Sequence, residues 1–123
     1  MEKLDTISAR QINDTARKEA EQFVKDRLKT HQLRNVFSAI ERMRSYYKKE
    51  KSYDDHLETQ LILLKPKLAY AAGRQKSVRY NFFPFVEKAI DAVVDAQNKD
   101  KAISNFFALM ESVVGYHKFF ENK

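Results

Sequence analysis

Gly73, Gly115, Pro66 and Pro84 are all the glycine and proline in this chain of 123 residues. That scarcity limits what it can fold into. An all-β fold needs many tight turns, and tight turns draw on glycine and proline. Long helices joined by few connections are the expected alternative. Hydrophobic residues make up 43% of the chain, which separates it from disordered sequences. Its length suits one domain with a modest core. The chain therefore reads as all-α, a compact bundle of about five helices over residues 1–123, with 1–7 as a flexible tail.

Apolar spacing locates the helices. Ser8 with Gln11 forms a capping box, and Ile7 with Ile12 can close a hydrophobic staple around it. Ile12, Ala16, Ala20 and Phe23 then mark the inner face of a first helix ending near Leu28. Thr30 is the expected cap of a second helix, with Leu33, Val36, Phe37, Ile40, Met43 and Tyr47 inward. Lys48 to Lys51 form a polar break, after which Ser52 or Asp54 can cap the third helix. Leu57, Leu61, Leu64, Leu68 and Ala71 give that helix its buried side. Pro66 lacks an N–H and crowds the carbonyl of Ile62, so a kink is expected there, and Gly73 supplies a stop. Residues 74–79 read as a short basic connection. Asn81 is the expected cap of a fourth helix, with Pro84 in its first turn and Val86, Ile90 and Val93 inward. Asn98 or Asp100 introduces the last helix, with Ile103, Phe106, Met110, Val113 and His117 in one stripe and Phe107 and Val114 widening it.

The net charge is +6, and nearly all of the excess lies in the middle of the chain. Residues 42–79 hold ten Lys/Arg against four Asp/Glu, while the flanking thirds nearly cancel. A localised basic block is the usual footprint of a polyanionic partner. Cysteine is absent, which excludes disulfides and thiolate metal sites and fits a reducing cytoplasm. The longest apolar run, Leu61 to Leu64, is far too short to span a membrane. The first five residues lack a signal peptide's apolar stretch, so the expected location is cytoplasmic.

On the third helix Leu63, Lys67, Tyr70 and Arg74 form a stripe beside the buried leucines. An aromatic flanked by two cations suits a phosphate or a base. Lys65 and Lys67 point about 200° apart on an ideal helix, so they serve different sides; Lys67 shares the side of Tyr70 and Arg74. On the second helix Arg34 flanks the apolar stripe, and Arg42 lies two turns on, toward the Asn35 side. Arg34, Arg42, Lys65, Lys67, Tyr70 and Arg74 are the candidate nucleic-acid contacts.

The adjacent pairs Tyr46–Tyr47, Phe82–Phe83 and Phe119–Phe120 must each send one ring off the buried face, since neighbours on a helix diverge by about 100°. Such rings suit contact with another protein. His117, on an apolar stripe, reads as a hydrogen-bonded core residue. Asp54, Asp55 and His56 diverge on a helix and read as capping groups rather than metal ligands. No phosphate loop or nucleophile–base arrangement is legible. Neither an enzyme, a cofactor nor a metal is expected.

Three segments carry a resemblance. They are Leu63-Leu64-Lys65-Pro66-Lys67-Leu68-Ala69-Tyr70-Ala71-Ala72-Gly73-Arg74, upstream Leu28-Lys29-Thr30-His31-Gln32-Leu33-Arg34-Asn35-Val36-Phe37, and Phe106-Phe107 followed by Val113-Val114-Gly115-Tyr116-His117-Lys118. In order and spacing the chain resembles the small subunit of the type III-A CRISPR interference complex, the Csm complex, from about Phe23 to Phe120. The resemblance implies a helical, non-catalytic subunit present in several copies along a filament whose backbone subunits grip the CRISPR RNA. It implies contact with the guide–target duplex, chiefly the target strand's backbone, and strengthens Arg34 within Leu-Arg-Asn as a phosphate contact. The expected partners are target RNA, CRISPR RNA, the backbone and large subunits and further copies of itself, with no membrane. The residues alone leave an alternative: a basic helical adaptor for an acidic protein partner.

Overall fold

A computed structural model describes residues 3–122. Its helices are α1 (Ala9–Lys25), α2 (Thr30–Glu50), α3 (Asp55–Arg74), α4 (Phe83–Val94) and α5 (Lys99–Glu121), with a π-helical turn, Val78–Phe82, running directly into α4. No strand occurs among the described residues. The architecture is all-α, as the shortage of turn residues predicts. α5 is the central element: α1 packs chiefly against it, and α2 and α4 also meet it. α3 closes the other side, against α2, α4 and the π turn. One continuous core, from Leu4 to Val113, joins all five helices.

Helix ends follow the local chemistry, with corrections. Ser8 caps α1 through the expected box: its hydroxyl oxygen accepts from Gln11 N at 3.1 Å, and Gln11 Oε1 accepts from Ser8 N at 2.9 Å. α1 ends at Lys25, before the expected Leu28. Arg27 turns left-handed (φ 65°), and Leu28 N donates to Phe23 O at 2.9 Å, closing a Schellman motif. Lys29, not Thr30, holds the cap position of α2, because Gln32 Oε1 reaches back to Lys29 N at 2.8 Å. The Thr30 hydroxyl donates instead to Glu121, tying the start of α2 to the end of α5. Asp54 caps α3, accepting from Leu57 N at 2.9 Å, and Asn98 caps α5, accepting from Lys101 N at 3.0 Å.

Gly73 does not stop α3. The helix runs on to Arg74 and ends where Gln75 turns extended, its N–H held by Ala71 O at 2.9 Å. Beyond it the expected basic connection is mostly helical, because the π turn begins at Val78. Asn81 therefore caps nothing. It lies inside that turn and donates to Asp26 Oδ2 at 2.6 Å, bracing the end of α1. Pro84 is in the first turn of α4, as expected.

The inner faces match the apolar stripes closely. Ile12, Ala16, Ala20 and Phe23 are buried on α1, Leu57, Leu61, Leu64 and Leu68 on α3, and Val86, Ile90 and Val93 on α4. Every member of the α5 stripe is buried, and His117 is the one buried polar side chain among the described residues. Its Nε2 lies 2.8 Å from Leu28 O. On α2, Phe37 and Val36 are only half-buried, packed at the edge of the core. Residues 3–7, expected as a flexible tail, are docked instead; the rest of that tail, Met1 and Glu2, lies outside the described residues. Leu4 is fully buried, Asn105 Nδ2 donates to Leu4 O at 2.6 Å, and Asp5 Oδ2 accepts from Asn98 N at 3.2 Å.

Candidate nucleic-acid interface

α2 and α3 lie side by side, and a groove runs between them. Its floor is apolar because it is made by the shoulders of two buried stripes: Ala39 and Val36 from α2, Leu64, Leu68 and Ala71 from α3. The π turn adds Val78 and Phe82 beneath one end. There a polar latch fixes the two helices. Gln32 Nε2 donates to Gln75 Oε1 at 2.7 Å, and the Ser77 hydroxyl donates to Gln32 Oε1 at 3.1 Å.

Two hollows make up the groove. One, of about 260 Å³, also carries His31, Asn35 and Gln75 on its rim. The other, of about 230 Å³, is edged by Tyr46, His56 and Gln60. Arg42 and Lys67 line both, so they stand at the waist where the hollows meet. Among the described residues no carboxylate lines either hollow.

The six residues singled out from the sequence divide by position. Arg42 and Lys67 come together at the waist. Tyr70 and Arg74 form a second pair just outside it: Arg74 Nη1 donates to the Tyr70 hydroxyl at 3.1 Å, and its guanidinium lies 5.6 Å from the ring centre. Tyr70 is 69% exposed, and Leu63 on the same stripe is 51% exposed. On an ideal helix Lys67 falls between that outer stripe and the groove-lining Leu64 and Ala71, within about 60° of either, so one surface continues from groove to stripe. Arg34 is exposed on α2, about 80° around the helix from Arg42, and lines neither hollow. Lys65 faces away, toward α4. Its ammonium donates to Asp91 Oδ1 at 2.8 Å. That bond holds its pKa above the ordinary lysine value, helped by the charges of Asp91, Glu87 and Asp95 against a smaller opposing effect of burial.

Charge pairing sharpens the division. Among the described residues the ion pairs are Arg44 with Glu41 and Glu111, Lys65 with Asp91, and Lys99 with Glu58. None uses Arg34, Arg42, Lys67 or Arg74. Asp54, Tyr53 and Glu58 are occupied in fixing the start of α3 against α2 and α5. Tyr46 donates to Asp54 Oδ2 at 2.5 Å and Tyr53 to Glu58 Oε1 at 2.9 Å. The Tyr46 bond, with the capped Leu57 N–H, keeps Asp54 below the usual carboxylate range. The Tyr53 and Lys99 bonds do the same for Glu58. The partner carboxylate pushes Tyr46 up to about 12.

His31, Asn35, Gln60 and Gln75 were missed as groove residues. His31, Asn35 and Arg42 recur at i, i+4 and i+11, a signal legible on α2, but nothing in the chain says that α3 faces that stripe. Away from the groove, Phe119 is 54% exposed on α5. Arg17 of α1 lies 5.4 Å and 5.5 Å from the Tyr116 and Phe120 ring centres.

Comparison with known proteins places this fold. The family described as Csm2 Type III-A matches residues 6–123. The chain is 30% identical over 99 residues to a protein of Enterococcus italicus named CRISPR system Cms protein Csm2, covering 76% of this chain and 68% of that one. No solved structure matches it. A match over nearly the whole chain, on an all-α fold bearing a carboxylate-free basic groove, gives one conclusion: the chain belongs to the Csm2 family, the small subunits of type III-A CRISPR complexes.

Proposed function

We propose that this small subunit lays its α2–α3 face along the phosphate backbone of target RNA paired to CRISPR RNA, as a non-catalytic part of a cytoplasmic antiviral complex. The observation that carries this reading is the waist, where Arg42 and Lys67 line both hollows and no carboxylate lines either. Tyr70 and Arg74 extend the same surface, and Arg34 serves an adjoining stretch of strand. Cations that meet phosphates without reading bases suit a machine whose sequence choice is made by base pairing. Lys65, committed to Asp91, supports the fold and gives the weakest contact of the six. The exposed Phe119 and its neighbours Tyr116 and Gly115 face the backbone subunits or a further copy of the chain.

Pro66, exposed on α3, bends the helix so that Lys67 and Arg74 turn toward the strand. Pro66→Ala would then weaken RNA binding more than stability. Complexes reconstituted with Arg42→Ala or Lys67→Ala should bind every target sequence more weakly, by the same factor. An acidic protein partner at this face is the competing reading. It predicts that RNA is not retarded by the chain in a mobility assay at any salt concentration, and that result would overturn the RNA assignment.

A further inference from the structure

The larger hollow is the more apolar of the two, and phosphate chemistry leaves its floor unexplained. A phosphate needs cations, and the waist supplies them. Yet the larger hollow, between the waist and the Gln32–Gln75 latch, is floored by Val36, Ala39, Leu68, Ala71, Val78 and Phe82. Its rim carries His31, Asn35 and the Gln75 amide nitrogen. None of these is consumed by a hydrogen bond among the described residues, because the latch occupies only the Gln75 oxygen. An apolar floor with a few convergent polar groups is the usual composition of a small-molecule site. At about 260 Å³ it lies just below the range for drug-sized ligands, roughly 300 Å³ upward, which suits one planar ring system.

The hollow also sits where an anion can be held. Arg42 and Lys67 border it on one side. A ligand whose flat apolar part enters the hollow therefore has its attached anion within reach of the waist. Amide side chains on the rim can donate to and accept from the edge of a base. From this we infer that the hollow takes a nucleobase, with the phosphate of the same nucleotide held by Arg42 and Lys67. The base belongs either to an RNA strand, turned out of its stack, or to a free nucleotide. The inference rests on the phosphate reading above and goes beyond it, since phosphate contact requires no base.

The test is a titration of the isotopically labelled protein, followed by amide chemical shifts, with AMP and with ribose 5-phosphate. The sugar phosphate carries the same anion without the base. AMP should shift Ala39, Ala71 and Val78 as well as Arg42 and Lys67, and should bind at least tenfold more tightly than ribose 5-phosphate. Equal affinities, with the floor unshifted by AMP, overturn the inference and leave the phosphate reading standing. Silence of both ligands at Arg42 and Lys67 overturns the phosphate reading itself. Ala71→Leu fills the hollow on a half-buried helical position while sparing both cations, so it should remove the AMP advantage and leave ribose 5-phosphate unchanged. If Ala71→Leu disturbs folding, Asn35→Ala, on the exposed rim, should reduce the AMP advantage in a fully folded protein; an undiminished advantage counts against the pocket. A single-stranded RNA with one 2-aminopurine separates the two sources. Brighter fluorescence on binding, reversed by AMP, assigns the hollow to an everted base of the strand. Unchanged fluorescence with AMP still bound assigns it to a free nucleotide.

Discussion

Lys65 and Lys67 flank the same proline, carry the same charge and differ only in direction, so replacing each with alanine separates fold from function. Lys65 is bonded to Asp91 at 2.8 Å, its side chain 27% exposed and that of Asp91 53% exposed. A partly solvated pair of that kind contributes about 0.5 kcal/mol. Lys65→Ala should therefore lower stability by that amount and flatten the salt dependence of RNA binding far less than Lys67→Ala does. Lys67→Ala breaks no ion pair among the described residues, so stability should hold. Removing one cation from the phosphates of single-stranded RNA flattens the log–log salt slope by about 0.7, and between 50 and 200 mM salt that is about a 2.6-fold change in affinity. Lys67→Ala should show that change, and Arg42→Ala with Lys67→Ala should flatten the slope by about 1.4. Urea denaturation gives the stabilities, and fluorescence anisotropy with a labelled RNA across a salt series gives the slopes. Crossed results, with Lys65→Ala flattening the slope and Lys67→Ala leaving it intact, would refute the assignment of the waist.

Further measurements probe the scaffold. A Cβ at either Gly73 or Gly115 meets nothing within 4 Å, so Gly73→Ala and Gly115→Ala should each raise stability by about 0.5–1 kcal/mol, read by thermal denaturation. His117→Phe leaves Leu28 O without its buried partner and should cost about 1–3 kcal/mol in chemical denaturation. Asp54 and Glu58 ionise more readily in the folded chain than at their ordinary values of 3.8 and 4.5. Their stabilisation is present above those values and fades as the pH falls through the lower folded ones. The Tm should drop across that acid window, and Tyr46→Phe with Tyr53→Phe should make the drop shallower.

Local features were legible because their causes are local. A hydroxyl three residues before a glutamine predicted the α1 cap, and period-3.6 leucines predicted which side of α3 is buried. What escaped the sequence depends on partners far along the chain. Asp91, which neutralises Lys65, is 26 residues away, and the Gln32–Gln75 latch spans 43. Leu4 anchors the chain's start with one side chain, too short a signal to carry a period. The π turn was invisible for another reason. Its hydrogen bonds skip one residue further than those of an α-helix, yet Val78 and Phe82 remain apolar residues four apart, and that spacing reads as ordinary helix. Arg42 and Lys67 were each legible as cations, but their meeting required the packing of α2 against α3.

That wide turn is also a built-in register mark. It holds one residue more than the helical repeat needs, and two of its members, Val78 and Phe82, form the underside of the base-sized hollow. Removing a single residue from this stretch would let it close as ordinary α-helix, so the flanking helices would keep their places while the side chains within the turn were redistributed. Relatives differing in length at this one place would then differ in what the hollow admits, while keeping every positive charge around it.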